Sequence, residues 1–178
     1  MPGARIVVAL LAAVLGSASA FAQRAAAPPP NLVAISELIV TSGQPSAEWL
    51  AELRVRGFDA VIYLAPPTVE DAVRDEPLIV ARQGLTFVNI PIRFDDPTDR
   101  DFQTFASVMK GLASRKVLVH CQINLRASSM TFLYRAIVLK EKPEVAYEAV
   151  AGVWTPDGAW KRFIAAQLAK NRIAFEPL

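Results

Sequence analysis

The chain has one cysteine, Cys121, and five positions after it an arginine, Arg126, within the run VLVHCQINLRAS at residues 117–128. A thiolate is a strong nucleophile, and a guanidinium is a planar fork able to grip two oxygens of an anion. Whether the two meet depends on the backbone between them. Residues 117–119, β-branched and aliphatic, read as a short buried strand that stops at His120 and Cys121. From Ala127 to Lys140 there is neither Gly nor Pro, and apolar residues recur at helical spacing through Met130, Leu133, Tyr134, Ile137 and Val138. Cys121 therefore sits where a strand ends, a tight loop turns and a helix begins. Such a loop gathers the unpaired N–H groups of Gln122, Ile123, Asn124 and Leu125 around one small space, and the helix dipole adds roughly half a positive charge there. The cup suits an oxyanion and favours a thiolate over a thiol. With Arg126 on the first helical turn, the stretch predicts a nucleophilic cysteine facing a bound anion.

His120 and Cys121, followed by Arg126 and Ser128 after the short strand, resemble the signature of the cysteine-dependent protein tyrosine and dual-specificity phosphatases. In that superfamily His-Cys is followed by five residues, then Arg, then Ser or Thr. Here four residues separate Cys121 from Arg126, and Asn124 stands where a Gly is usual. The shorter loop has the length found in rhodanese-like sulfurtransferases, whose cysteine carries a persulfide. It also resembles a bacterial phosphatase-like family whose members have been called both phosphatases and sulfur transferases, and the run SGQPS at residues 42–46 is similar to that family too. The matches extend from about Ile39 to Trp160. This resemblance implies a phosphatase-like fold, Cys121 as nucleophile, and Arg126 with the Gln122 to Leu125 amides around the phosphoryl oxygens. It also implies a general acid at Asp95 or Asp96, on the loop after an Ile-Pro strand end, and no metal or organic cofactor.

The elements that must position this loop alternate along the chain. Leu38 to Val40 reads as a strand, 42–45 as a turn, and Ser46 as an N-cap with Glu48 in the first turn of a helix running to about Arg56 and closed by Gly57. Ala60 to Leu64 is a second strand, and a helix from about Val69 to Arg82, interrupted near Pro77, ends at Gly84. Leu85 to Ile92 forms a third strand, bent at Pro91. Thr98 and Asp101 form a capping box for a helix with Phe102, Phe105, Val108, Met109 and Leu112 on one side. Two helices, about 144–153 and 158–171, follow the motif helix. Strands alternating with helices predict an α/β fold with a central, mostly parallel sheet of about four to five strands covered by helices on both faces.

Ligands of such sheets bind beyond the carboxyl ends of the strands, so the segment after the third strand supplies the candidate acids. Asp95 and Asp96 serve as well for a proton donor as for solvated loop charges, whereas Asp99 and Asp101 are read as first-turn helix acids. His120 is read as structural, pointing beneath the loop to backbone there, because alternate strand residues diverge and Cys121 next to it is badly placed for direct proton exchange. Ser128 and Ser129 can donate to the Cys121 sulfur or simply pack their helix. Arg93 and Arg135 are read as solvated or salt-bridged, and Trp154, Trp160 and Phe163 as core.

Residues 1–22 carry a positive Arg5, an apolar run from Ile6 to Leu15 too short to span a bilayer, and a small-x-small site at 20–22, the pattern of a cleavable export signal. Residues 23–34, with three consecutive prolines at 28–30, are an Ala/Pro-rich spacer, and 35–178 one domain. A periplasmic or secreted location and no stable membrane insertion after cleavage follow. A formal net charge of +2 implies neither nucleic acid nor acidic membranes as partners. One histidine and one cysteine cannot assemble a zinc site. The sequence thus predicts an exported cysteine-dependent phosphatase acting on a phosphorylated protein or a small phosphate ester. A persulfide-carrying sulfurtransferase and a non-catalytic oxyanion-binding module are the alternatives.

Overall fold

β-Branched and aliphatic runs bounded by turn residues form the strands of the structure, a computed structural model that describes residues 26–176. Five strands pair in the order β1-β2-β5-β3-β4: β1 (Val33–Ala34), β2 (Ile39–Ser42), β3 (Ala60–Tyr63), β4 (Thr86–Asn89) and β5 (Val117–His120). Only β1 runs antiparallel to its neighbour. The cysteine-bearing β5 lies between β2 and β3, where Ile39 and Ala60 flank Val117 and where Ser42 and Tyr63 flank His120. A central parallel strand buries both faces, and all four residues of β5 are buried.

Alternation along the strands feeds two cores. Ala60, Ile62, Val117 and Val119 face the helices α3 (Asp99–Gly111), α4 (Leu125–Leu133), α5 (Pro143–Ala151) and α6 (Gly158–Lys170). Val40, Val61 and Leu118 face α1 (Ala47–Ala51) and α2 (Glu76–Arg82), packing with Trp49, Leu50, Leu53 and Val80. Each fully buried leucine of this second core stabilises the fold by about 1.5–3 kcal/mol relative to exposure. The mostly parallel sheet with helices on both faces agrees with the architecture expected from sequence.

The caps also follow the sequence. Ser46 accepts from Trp49 N–H at the start of α1, and Thr98 and Asp101 form both halves of the capping box. α3 buries Phe102, Phe105 and Met109.

Several boundaries differ. α1 ends at Ala51, and the chain continues in tight turns, with Gly57 N–H bonded to Arg54 O at 3.0 Å, until Gly57 reverses it at φ +80°. The expected helix over residues 69–82 starts only at Glu76. Pro77 lies in its first turn, where no intrahelical N–H is required, so it opens the helix rather than interrupting it. Residues 66–75 are thereby left as a loop at the carboxyl edge of the sheet. The third strand stops at Asn89, but its path continues beside β3 through Ile90 N–H to Tyr63 O (2.8 Å) and Ile92 N–H to Leu64 O (3.1 Å). The motif helix is α4 followed by a π-helical turn, Tyr134–Val138. Within the segment read as a spacer, Val33 and Ala34 pair with Thr41 and Val40, the Pro30 carbonyl accepts from Gly43 N–H, and Asn31 bonds to the cysteine loop. The export signal at residues 1–22 lies outside the described residues.

Candidate active site

The loop between β5 and α4 is held from outside by two other segments. The Gln122 carbonyl accepts from Gln44 N–H at 2.9 Å, the Ile123 carbonyl from Asn31 Nδ2 at 2.9 Å, and the Pro30 carbonyl from Gly43 N–H at 2.7 Å. Because a trans peptide sets N–H and C=O on opposite sides, an outward Gln122 carbonyl turns the Ile123 N–H inward. The N–H groups of Gln122 and Ile123 donate to no acceptor among the described residues, and those of Leu125 and Arg126 begin α4, where no intrahelical carbonyl is available. Asn124 turns the corner at φ +73°, a left-handed conformation that asparagine tolerates better than most residues, which explains how it stands in for a glycine. Its buried side chain donates through Nδ2 to Asn31 O (2.6 Å) and Thr41 Oγ1 (3.1 Å).

Cys121 is fully buried, its N–H bonded to Ser42 O at 3.2 Å. Arg126 is only 5% exposed. It donates through Nε to Ile92 O (3.0 Å) and through Nη1 to Gln122 Oε1 (3.4 Å), and its guanidinium lies over the Phe94 ring. Cys121, Gln122, Ile123, Leu125 and Arg126 line one pocket of about 250 Å³, and Asp71 and Phe94 complete its wall. Nucleophile, cation and helix N-terminus therefore converge as their spacing predicts, while Asn124 shapes the loop from beneath. Such a cup can hold a tetrahedral oxyanion against the sulfur.

The supporting residues depart from expectation. His120 follows Leu118 in the strand alternation onto the face covered by α1 and α2. There its Nε2–H donates to a side chain, the carboxylate of Glu76 at 2.6 Å, rather than to loop backbone. Both partners are buried, the other Glu76 oxygen accepts from Gln44 Nε2 at 2.9 Å, and Tyr63 stacks on the imidazole with centroids 4.7 Å apart. Burial, and after it the negative charge of Glu76, push the Tyr63 hydroxyl well above the ordinary tyrosine pKa. The Ser128 hydroxyl donates to Leu125 O at 3.3 Å, a helix back-bond, and not to the sulfur. Arg135 is structural, pairing Glu141 at 2.7 Å and bonding Ala146 O at 3.1 Å.

Asp95 and Asp96 do not join the cysteine. Asp95 is exposed and gripped by Arg93 through Nη2 (2.7 Å) and Nε (3.2 Å), and this hydrogen-bonded partner holds its carboxyl below the usual aspartate range. Both acids line a separate shallow hollow with Asp99 and Arg162. The segment after β4 contributes Phe94 instead, because Arg93 and Asp95 pair with each other in solvent while Phe94 packs towards Trp154 and Trp160. Sequence reasoning missed Phe94, Glu76 and Asp71. Asp71 was hidden by the helix expected over 69–82, although it follows a strand's carboxyl end. Among the described residues no group of three or more His, Cys, Asp or Glu is placed to hold a metal ion.

The parallel sheet, the helices on both faces and a Cys–Arg loop at the central strand's carboxyl end define the cysteine-dependent protein tyrosine and dual-specificity phosphatase superfamily. Residues 33–158 match the family described as DSP-PTPase phosphatase fused to NAD+ kinase, and since that is more than half of the chain, the protein belongs to this phosphatase family. The chain is similar to the DUF442 phosphatase-like protein of Shewanella putrefaciens CN-32, with 28% identity and a TM-score of 0.73 over 80% of this chain and 94% of that one. It shares its fold with the core catalytic domain of the PP-IP phosphatase SIW14 from S. cerevisiae, at 15% identity and a TM-score of 0.63 over 86% and 99% of the two chains. TpbA of P. aeruginosa also shares it, at 19% identity and a TM-score of 0.60 over 79% and 84%. No curated protein matches the sequence significantly. No helix among the described residues is long and apolar enough to cross a membrane.

Proposed function

We propose that this chain is an exported hydrolase of phosphate monoesters that works through a cysteinyl-phosphate. The Cys121 thiolate attacks phosphorus, the P–O bond to the leaving group breaks, and the leaving oxygen takes a proton from an acid at the pocket mouth. Water then attacks the S–P bond and releases inorganic phosphate and the thiolate. Arg126 and the amides at the start of α4 hold the equatorial oxygens, and their fixed dipoles meet the charge that develops there. The observation that carries this reading is that Cys121 and Arg126, both buried, line one pocket at a helix N-terminus. Membership of the phosphatase family supports it. A structure of TpbA holds phosphotyrosine and SIW14 is a PP-IP phosphatase, so a phosphorylated protein and a small phosphate ester both fall within the range of substrates for a pocket of this type. The export-signal pattern read in the sequence of residues 1–22 supports a periplasmic or secreted location.

The test is one preparation assayed with an aryl phosphate and with thiosulfate plus cyanide, alongside Cys121→Ser. Phosphate release that depends on Cys121 is the expected outcome. Thiocyanate formation that depends on Cys121, without phosphate release, would establish the sulfurtransferase instead, and neither activity would leave an anion-binding module.

A further inference from the structure

We infer that Asp71, on the loop between β3 and α2, is the proton donor to the leaving group, an assignment that rests on the phosphatase reading above. Asp71 is the one carboxylate lining the Cys121 pocket among the described residues. Its Oδ1 accepts from Gln122 Nε2 at 3.0 Å, and the same side chain turns its Oε1 to Arg126 Nη1 at 3.4 Å. One amide thus ties the acid to the anion cup, and the other Asp71 oxygen carries no hydrogen bond among the described residues, so it is free to bear the proton.

The competing acids are placed for other work. Asp95 is locked in a two-point ion pair with Arg93, which favours its ionised form, and a proton donor has to start protonated. Asp96 lies with Asp95 in the separate hollow beside α6. Asp71 has an amide as its partner and no cation.

In the first half-reaction the Cys121 sulfur forms a bond to phosphorus and the P–O electron pair leaves on the ester oxygen, which takes the proton from the Asp71 carboxyl. In the second, the Asp71 carboxylate accepts a proton from the attacking water, whose oxygen bonds to phosphorus as the S–P pair returns to sulfur. The carboxyl is regenerated and no other reactant is needed. Phe94, Ile123 and Leu125 supply the apolar part of the pocket wall around this exchange.

The experiment compares Asp71→Asn, Asp71→Glu, Asp95→Asn and Asp96→Asn on an alkyl phosphate, whose leaving oxygen must be protonated, and on 4-nitrophenyl phosphate, whose leaving group departs as an anion. Asp71→Asn is expected to lose about 10²- to 10⁴-fold in kcat on the alkyl ester and about tenfold or less on the nitrophenyl ester. Asp71→Glu recovers part of the alkyl activity, and the Asp95 and Asp96 variants stay near wild type on both. Equal losses of Asp71→Asn on both esters, or an alkyl-specific loss in Asp95→Asn or Asp96→Asn instead, would overturn the assignment while leaving the phosphatase reading intact. A wild-type protein that releases phosphate from neither ester overturns both.

Discussion

The Arg126 guanidinium lies over the face of Phe94, 5.0 Å from the ring centroid. With its Nε bonded to the Ile92 carbonyl, the arginine is held by an aromatic face and a backbone oxygen, and no carboxylate among the described residues forms an ion pair with it. Phe94 in turn packs on Trp154 and Trp160, with centroids 6.1 and 6.0 Å away. The segment after α5, through Trp154, and the first turn of α6, through Trp160, thereby fix the orientation of the fork that would grip the anion.

Truncating the shelf tests this arrangement. Phe94→Ala removes a cation–π contact worth about 0.5–2 kcal/mol, so binding of inorganic phosphate or vanadate is expected to weaken roughly 2- to 30-fold, whereas Phe94→Tyr keeps the ring and most of the affinity. Competition of vanadate against turnover measures it. Equal inhibition constants for Phe94→Ala and wild type would show that the aromatic face is idle.

Gly43 is required for its lack of a side chain, not for its torsions. A Cβ there would stand 2.7 Å from the Gln122 carbonyl and 3.0 Å from Pro30 Cβ. Gly43→Ala must push the cysteine loop away from β2, at a cost of about 1–3 kcal/mol in stability. Activity should fall further than stability explains, by about tenfold or more in kcat/KM, since a small displacement of the cup misplaces the phosphoryl oxygens. Thermal unfolding and kinetics on one preparation separate the two, and unchanged kinetics would show that the loop does not depend on this close approach.

The cysteine loop was legible because its signal is local: Cys121, Arg126 and the strand-to-helix switch lie within ten residues and need only the two periodicities to be placed. The capping box of α3 was legible for the same reason. The rest depends on long-range packing. Glu76 meets His120 across 44 positions, and Asn31 meets Ile123 across 92, pairings that no local pattern encodes. The segment 69–75 carries helix-compatible residues, but its chain instead turns through Val69 to Asp75 before Pro77 opens α2, and that choice moved the candidate acid from the segment after β4 to Asp71. The β1 pairing was masked by its proline-rich approach.

Asp99 gives a pH-dependent tie between α3 and α6. Lys170 Nζ reaches its Oδ1 at 2.8 Å and Gln167 Nε2 donates to the same oxygen at 3.1 Å, and the Lys170 bond, then Gln167, hold its carboxyl below the ordinary 3.8. A carboxyl depressed by folding adds stability that is fully present above its unfolded value and is lost as pH falls through the lower folded one. The contribution is therefore intact at neutral pH and disappears below about pH 4. Both side chains are about half exposed, so it amounts to less than about 1 kcal/mol. Asp99→Asn should lower the unfolding midpoint slightly at pH 7 and converge with wild type in acid. A difference that grew on acidification would contradict the sign.

The buried pair of His120 and Glu76 carries the largest predicted effect on stability. The imidazole is fully buried, Glu76 is 1% exposed, and the two sit 2.6 Å apart between β5 and the first turn of α2, whose N-terminus favours a negative charge. Glu76 also takes the Gln44 side-chain amide, and Gln44 N–H holds the Gln122 carbonyl, so the carboxylate links the strand before the nucleophile to the loop after it. Removing one member of such a pair strands the other: Glu76→Ala leaves the His120 Nε2 without an acceptor in the interior and the Gln44 amide with only the Pro45 carbonyl at 3.4 Å, a cost of about 3–5 kcal/mol. Glu76→Gln keeps the volume and one acceptor oxygen and should cost less than half as much. Because Gln44 is then less firmly held, kcat should fall in Glu76→Gln although neither His120 nor Glu76 lines the pocket. Urea unfolding of the two variants, read with kcat for Glu76→Gln, checks both halves. A Glu76→Ala protein as stable as wild type would mean that the pair adds nothing to the fold, and a Glu76→Gln enzyme with wild-type kcat would mean that the network does not reach the loop.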